Sequence, residues 1–471
     1  MHDTVTTPLS AAMPRGTRDP GGVVVAQFVP AEAVVNQVLD LALRIGEVQL
    51  SSGAGASDVT ATIIAVANAC GLDQCQVDVT FTSITACCHR GAEFAPVTSL
   101  RVVRSRGLDY TRLAAVEQLV RDITRRRTTA VEAAKRLDRI VNARHPYPRW
   151  VATAAWAGMA ASVSVLLGAG PLVALAAAVI TAAIDRIGRI LNRHNLPFFF
   201  QQVLGGALAT GGALAVVSTG WLGESPTIVV AAAITVLLSG LSVVGAVQDA
   251  ITGYTVTASG RAMEVALMTA GLIGGVVLAL NMATELGLPK VPMAEALPPS
   301  ALRLPVQALA GAAAAGCFAL ASYATMRSMM VASAAGALGA LGYGALVLGG
   351  TGPIVASAVA AAGIGFCGGV MARRLGVTPL VVAVSGMTPL FPGLTTYRSL
   401  YELAVDGTSA GVVTLMTALG IALALGAGVV LGEYLAQPVR VRLGRLERRL
   451  GAIRLVGPTW QRLELETTAS K

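Results

Sequence analysis

The sequence predicts a polytopic α-helical membrane protein. About ten transmembrane helices form two five-helix halves, inverted if the halves are related, and a small cytoplasmic α+β domain precedes them. Three observations carry this expectation. Apolar residues make up 54% of the 471 and charged residues only 13%, whereas ordinary soluble domains hold about 25% charged residues. Mean hydropathy is +0.67. The deficit of charge is also uneven: residues 1–149 hold more than half of the acidic residues, while 150–436 runs in long apolar blocks.

Residues 1–30 lack the basic start and apolar core of a secretory signal and are expected to be a disordered tail, which keeps the following domain in the cytoplasm. Within 31–148, the stretch from Ala31 to Ala54 places Val34, Val38, Leu41, Ile45 and Val48 on one helical face. "SSGAG" at 51–55 ends that helix, and Ser57 is expected to cap a second over 58–71. Residues 75–91 alternate apolar and polar and read as a strand pair, with a further strand at 97–105. Amphipathic helices follow at 109–126 and 129–144. Six cysteines lack structural-zinc spacing and read as reduced thiols, so no metal is expected. Glu47, Ser52 and Asp58 flank the glycine-serine turn and are candidates for contact with a small ligand. With no G-x-S-x-G elbow, a regulatory or substrate-gathering role is favoured over catalysis.

Ten segments reach the length of about 20 apolar residues that a membrane crossing needs: 150–168, 171–191, 198–219, 226–248, 262–283, 305–326, 329–349, 352–372, 377–397 and 411–436. Connections on the amino-terminal side carry Arg186, Arg189, Arg193, Arg261, Arg327, Arg373 and Arg374, and the tail at 437–471 carries Arg440 to Arg449. Opposite connections carry Lys290, Arg303, Glu224, Glu285 and Glu295. The positive-inside rule then places both termini in the cytoplasm. It also accounts for the net charge of +9 without a nucleic-acid partner, which would favour a basic stripe interleaved with aromatics. The long outer loop at 284–304 divides the membrane region into halves 149–304 and 305–436. An odd number of passes per half is the arithmetic of inverted repeats, which place substrate sites at broken helices. The fourth helix of each half carries the oddity: "VQDAITGYTVTASGR" at 247–261 and "TPLFPGLTTYRSLYE" at 388–402. GxxxG pairs at Gly271/Gly275, Gly365/Gly369 and Gly428/Gly432 read as helix packing.

"RIGEVQLSSGAGASDVTATIIAVANACGLDQCQVDVTFTSI" (44–84) with "YTRLAAVEQLVRDI" (110–123) is similar to the soluble domain of the threonine/serine exporter family. "QDAITGYTVTASGRAMEV" (248–265) and "PLFPGLTTYRSLYEL" (389–403) are similar to its two membrane halves. The resemblance covers about 31–436 and implies a secondary transporter of the bacterial cell membrane, not an enzyme, exporting L-threonine and L-serine against protons without a cofactor. Relatives with the halves on separate chains are associated with dicarboxylate transport, which stands as the alternative. A membrane-anchored hydrolase or sensor is the rival from another class.

On this reading Pro389, Pro392 and Gly393 break the ninth helix. The break exposes a half-helix N-terminus suited to a carboxylate, with Thr388, Thr396 and Tyr397 placed to bond a hydroxyl. The alternative is a plain kink packed against its neighbours. Gln248, Asp249, Thr252 and Gly253 form the counterpart in the first half. A deep Asp249 carries a proton or meets an ammonium group, whereas one at the helix end is interfacial. Arg261 with Glu264, and Arg398 with Glu402, are candidate gate or coupling pairs, and Asp185 is spaced to bridge to Arg189 as a structural pair. The sequence leaves open whether the protein forms a homo-oligomer.

Overall fold

A computed structural model of the chain describes residues 31–449 apart from 91–93, 104–106, 219–226, 239, 288–299, 376 and 405–408. Residues 217, 240, 241, 371–374, 404 and 439–449 are described by backbone alone. The amino-terminal tail, Glu224, Lys290, Glu295, the last residues of the carboxyl tail, and the side chains of Arg373, Arg374 and Arg440 to Arg449 therefore lie outside the described residues.

The polar first part folds as α1 (Glu32–Ser51), α2 (Ala56–Ala69), β1 (Cys75–Val79), β2 (Ser83–Cys88), β3 (Val97–Val102), α3 (Tyr110–Thr124) and α4 (Ala130–Asn142). The strands form an antiparallel sheet in the order β1-β2-β3, with Cys75 opposite Cys88 and Ser83 opposite Val102. Alternate residues of β2 (Ile84, Ala86 and Cys88) are buried in a core with Leu39, Ile45 and Ile63 from α1 and α2, as the two-residue period of a strand requires. The buried stripe of α1 is wider than its sequence spacing implied. Val35, Leu39 and Ala42 join it, while Val34 faces out. Thr129 caps α4 by accepting a hydrogen bond from the Glu132 N–H. Ser57 does not cap α2, which begins one residue earlier at Ala56.

The apolar part continues as α5 (Arg149–Leu166), α6 (Pro171–Arg193), α7 (Phe198–Ser218), α8 (Thr227–Leu237), α9 (Gly240–Ile251) and α10 (Thr255–Glu285). There follow α11 (Leu304–Ala321), α12 (Met326–Leu348), α13 (Pro353–Leu375), α14 (Pro379–Met387), α15 (Gly393–Ala404) and α16 (Ala410–Arg449). Among the described residues seven helices are long and apolar enough to cross a membrane, and nine spans result if each of two bent pairs counts as one. Ten were expected. The difference is α5, only 18 residues long and diluted by Arg149, Thr153, Ser162 and Ser164.

The bent pairs are α8 with α9, at 51°, and α14 with α15, at 47°. The second bend falls at Phe391–Pro392, where Pro389 and Pro392 make it. The first is not at 247–261 but upstream, between Leu237 and Ser242. Asp249 lies inside α9, and Gly253, with φ of 91°, forms the turn into α10.

Neighbours recur in the two halves. α5 packs on α6 as α11 on α12, α7 on α10 as α13 on α16, and α9 on α10 as α15 on α16. The α7–α10 and α13–α16 pairs use the same device, glycines that bring backbones together. A Cβ on Gly275 would stand 2.8 Å from the Ala207 nitrogen, and one on Gly432 2.7 Å from the Phe366 nitrogen. No rotamer change relieves a clash with backbone. Gly275→Val is therefore expected to destabilise the fold by about 1–3 kcal/mol or more, read as a lower melting temperature and aggregation in detergent. Gly274→Ala, where a Cβ meets open space, is expected to behave as the parent.

Candidate functional site

The α+β part caps one end of the helical bundle, against the α9–α10, α11–α12 and α13–α14 connections. At its centre the turn before α2 meets a buried ion pair. Asp249 (0% exposed) and Arg261 (4%) approach to 3.2 Å, Oδ2 to Nε. Asp249 Oδ1 accepts a hydrogen bond from the Ala56 N–H at 2.7 Å, and Arg261 Nη2 donates to the Ala54 carbonyl at 2.8 Å. The free N–H groups at a helix start need an acceptor. Here the acceptor that the sequence sought in Ser57 comes from Asp249, 193 residues away. Gln248 donates to the Asp58 carboxylate at 3.2 Å, and a Cβ on Gly55 would stand 2.9 Å from Gln248 Nε2. "SSGAGAS" is thus a close-approach turn, and glycine is what allows the approach.

Around this centre the contacts are polar and specific. Thr257 donates to the Val79 carbonyl at 2.8 Å, the Tyr110 N–H to the Ser322 carbonyl at 3.0 Å, and Thr111 to the Tyr323 carbonyl. Thr378, just before α14, donates to Glu117 at 3.0 Å, and the His145 ring stacks on Tyr323 at 4.4 Å. Sequence reasoning missed Glu117, Thr378 and the backbone of 54–56 as partners, because none has a local signature. Burial pushes the Glu117 carboxyl up to about 7. The Thr378 hydroxyl and Arg121 pull the other way, and Asp58 adds to the rise.

The remaining sequence candidates separate. Glu47 pairs with Arg101 on β3, and the Ser52 hydroxyl donates to the Val48 carbonyl at 2.7 Å. Both are engaged within the α+β part, whereas Asp58 faces Gln248. Thr252 donates to the Gln248 carbonyl at 2.9 Å. Arg261 joins Asp249, and Glu264 lies one turn further along α10. At the second bend Gly393 starts α15 directly against α8. A Cβ there would collide with the Thr235 hydroxyl and stand 2.8 Å from the Ala231 carbonyl. The two bent pairs therefore cross in contact. Thr388 donates to the Val384 carbonyl at 3.3 Å and Thr396 to the Pro392 carbonyl at 2.7 Å, so both hydroxyls serve their own helix. Tyr397 is buried beside Tyr401. Arg398 and Glu402 pair at 2.9 Å, with Thr414 donating to Glu402 at 2.7 Å.

Two bent pairs in contact inside a bundle of close-packed apolar helices make this a multi-pass helical membrane protein. The comparisons make this particular. Residues 40–283 match a family model described as "Putative threonine/serine exporter", and 307–435 match one described as "Threonine/Serine exporter, ThrE". A Mycobacterium tuberculosis protein named "Probable threonine/serine exporter" is 41% identical over 92% of this chain and 83% of its own length. A Corynebacterium glutamicum "Threonine/serine exporter" is 37% identical over 86% and 83%. The chain belongs to the threonine/serine exporter family. No solved structure matches it.

Two outcomes follow from the capped end. Asp249→Ala leaves the Arg261 charge buried without its partner, expected to cost on the order of 3–5 kcal/mol. Thermal unfolding in detergent should show a large loss that Asp249→Ala with Arg261→Leu partly restores. Glu117 has a raised pKa where the two parts meet, so its contribution to their contact is full below its ordinary pKa of 4.5 and is lost as pH rises through about 7. Protection of 110–124 against hydrogen exchange, taken relative to the intrinsic rate at each pH, should therefore fall between pH 5 and about 7.5, and Glu117→Gln should remove that fall.

Proposed function

We propose that this chain exports threonine and serine from the bacterial cytoplasm in exchange for protons, by alternating access, with both termini in the cytoplasm. The observation that carries the reading is the contact between the two bent helices, Gly393 of α15 on Ala231 and Thr235 of α8, in a chain of this family. Bends in contact at the repeat interface are where secondary transporters place the moving part of the path. The recurring neighbours of α5–α10 and α11–α16 support two inverted five-span halves, with α5 as the tenth crossing.

In this scheme Thr388, Pro389, Pro392, Gly393, Thr396 and Tyr397 form the hinge of the path, with the Thr388 and Thr396 hydroxyls already satisfying the broken helix. Gln248, Asp249, Thr252 and Gly253 form the cytoplasmic gate under the α+β part. Asp249 carries the coupled proton. A proton on its carboxyl removes the charge that holds Arg261 and loosens the 54–56 turn, so gate opening and proton binding are one event. Arg398 and Glu402 pair near the carboxyl end of α15 and close the outer end.

Labelled threonine uptake into inside-out vesicles tests the reading, with an uncoupler as control and succinate in parallel. Accumulation of threonine that collapses with the uncoupler is expected. Asp249→Asn should lose proton-driven accumulation by tenfold or more while threonine exchange persists. Movement of succinate without threonine would overturn the substrate, and movement of neither would return attention to the α+β part.

A further inference from the structure

The buried face of α3 divides between two cores. Val116, Leu119 and Ile123 pack inside the α+β part, in the cluster that holds α1 and α2. Tyr110 and Leu113 do not. They are buried in a separate cluster with Met159 of α5, Phe318 of α11, Ala332 of α12, and Val381 and Val384 of α14, and Val236 of α8 packs against it. Both bent pairs, and the α5–α11 contact that joins the two halves, therefore meet at the first turn of α3.

Two contacts of α3 with α14 give the depth of this turn. Glu117 accepts the Thr378 hydroxyl just before α14 begins. The Tyr110 ring, nearer the start of α3, lies beside Ser385, further along α14. At 1.5 Å per residue the ring stands about 10 Å beyond Thr378 along that helix. Tyr110 and Ser385 are both buried, and neither hydroxyl has a hydrogen-bond partner among the described residues. The ring is thus seated by shape. The bonds that hold the turn lie at its rim, where the Tyr110 N–H donates to the Ser322 carbonyl and Thr111 to the Tyr323 carbonyl. His145 bonds Asp109 at 2.9 Å and stacks on Tyr323. A buried phenol without a partner is costly, and it regains water when the ring withdraws.

We propose that the first turn of α3 is a removable wedge: Tyr110 and Leu113 close the cytoplasmic end of the bundle between α11 and α14, and the path opens there when they withdraw. The proposal rests on the export reading, because it gives the α+β part the task of restraining α14, the arm that swings if the bend at Phe391–Pro392 moves. The wedge is separate from the Asp249–Arg261 pair, which sits at the α9–α10 connection. A tyrosine suits the task, since its ring is at home in an apolar cluster and its hydroxyl in water.

Ser385→Cys in the full-length protein, in inside-out vesicles, reports withdrawal through labelling by a membrane-impermeant maleimide. Labelling is read at that position by peptide mass, so the native cysteines stay. It is expected to quicken at least tenfold when Tyr110→Ala is added. Tyr110→Phe, which keeps the ring and loses the orphaned hydroxyl, should label no faster than the parent. Labelling of Cys88, buried in the α+β core, should not change, which general unfolding would not allow. A second measurement needs no Tyr110 variant. Glu117→Cys and Thr378→Cys, bridged by a short bifunctional thiol reagent, tie α3 to α14. Bridging should lower threonine uptake at least tenfold relative to the same variant treated with a monofunctional reagent. Labelling at 385 that ignores Tyr110→Ala, or undiminished uptake by the bridged protein, would overturn the wedge and leave the export reading standing. Labelling that depends on Tyr110 in a parent that takes up no threonine would overturn the export reading and keep the closure.

Discussion

The fold is organised around an ion pair that is costly to bury. Asp249 and Arg261 are withdrawn from water at the end of the helical bundle, and two charges so placed are tolerated only when the geometry is good and the remaining bonds are made. The α+β part makes two of them. Its Ala56 N–H bonds Asp249 Oδ1 and its Ala54 carbonyl bonds the Arg261 guanidinium, Oδ2 is left to the ion pair itself, and the pair in return caps α2. Each side of the joint thus needs the other. The glycines of "SSGAGAS" follow from that need, since a side chain at Gly55 would press on Gln248.

Elsewhere the bundle relies on shape. Without water to drive apolar association inside a bilayer, helix pairs gain from close backbone packing. Here Gly271 and Gly275 on α10, with Gly428 and Gly432 on α16, supply it in the same pattern in each half. These pairs are tightly joined. The bent pairs between them are different in kind: short segments whose polar backbone is partly satisfied by Thr388, Thr396 and Gln202.

Much of this was legible in the sequence. Long apolar blocks gave the helices, because backbone in a bilayer must satisfy itself within each span. The bend at Phe391–Pro392 was announced by Pro389 and Pro392, since proline cannot continue a helix. GxxxG spacing marked the close pairs, and period-two alternation marked β1 and β2. What the sequence left undecided were the long-range partners. Whether Asp249 was a deep proton carrier or an interfacial residue, and whether Arg261 faced Glu264 or something else, depended on a turn two hundred residues earlier. The bend before Ser242 was hidden because no proline marks it within an apolar run. The Asp185–Arg189 spacing announced a bridge along α6, and the structure contains it. Local patterns are set by backbone geometry and are written along the chain. Which polar groups share a buried space is set by packing, and only the tertiary structure decides it.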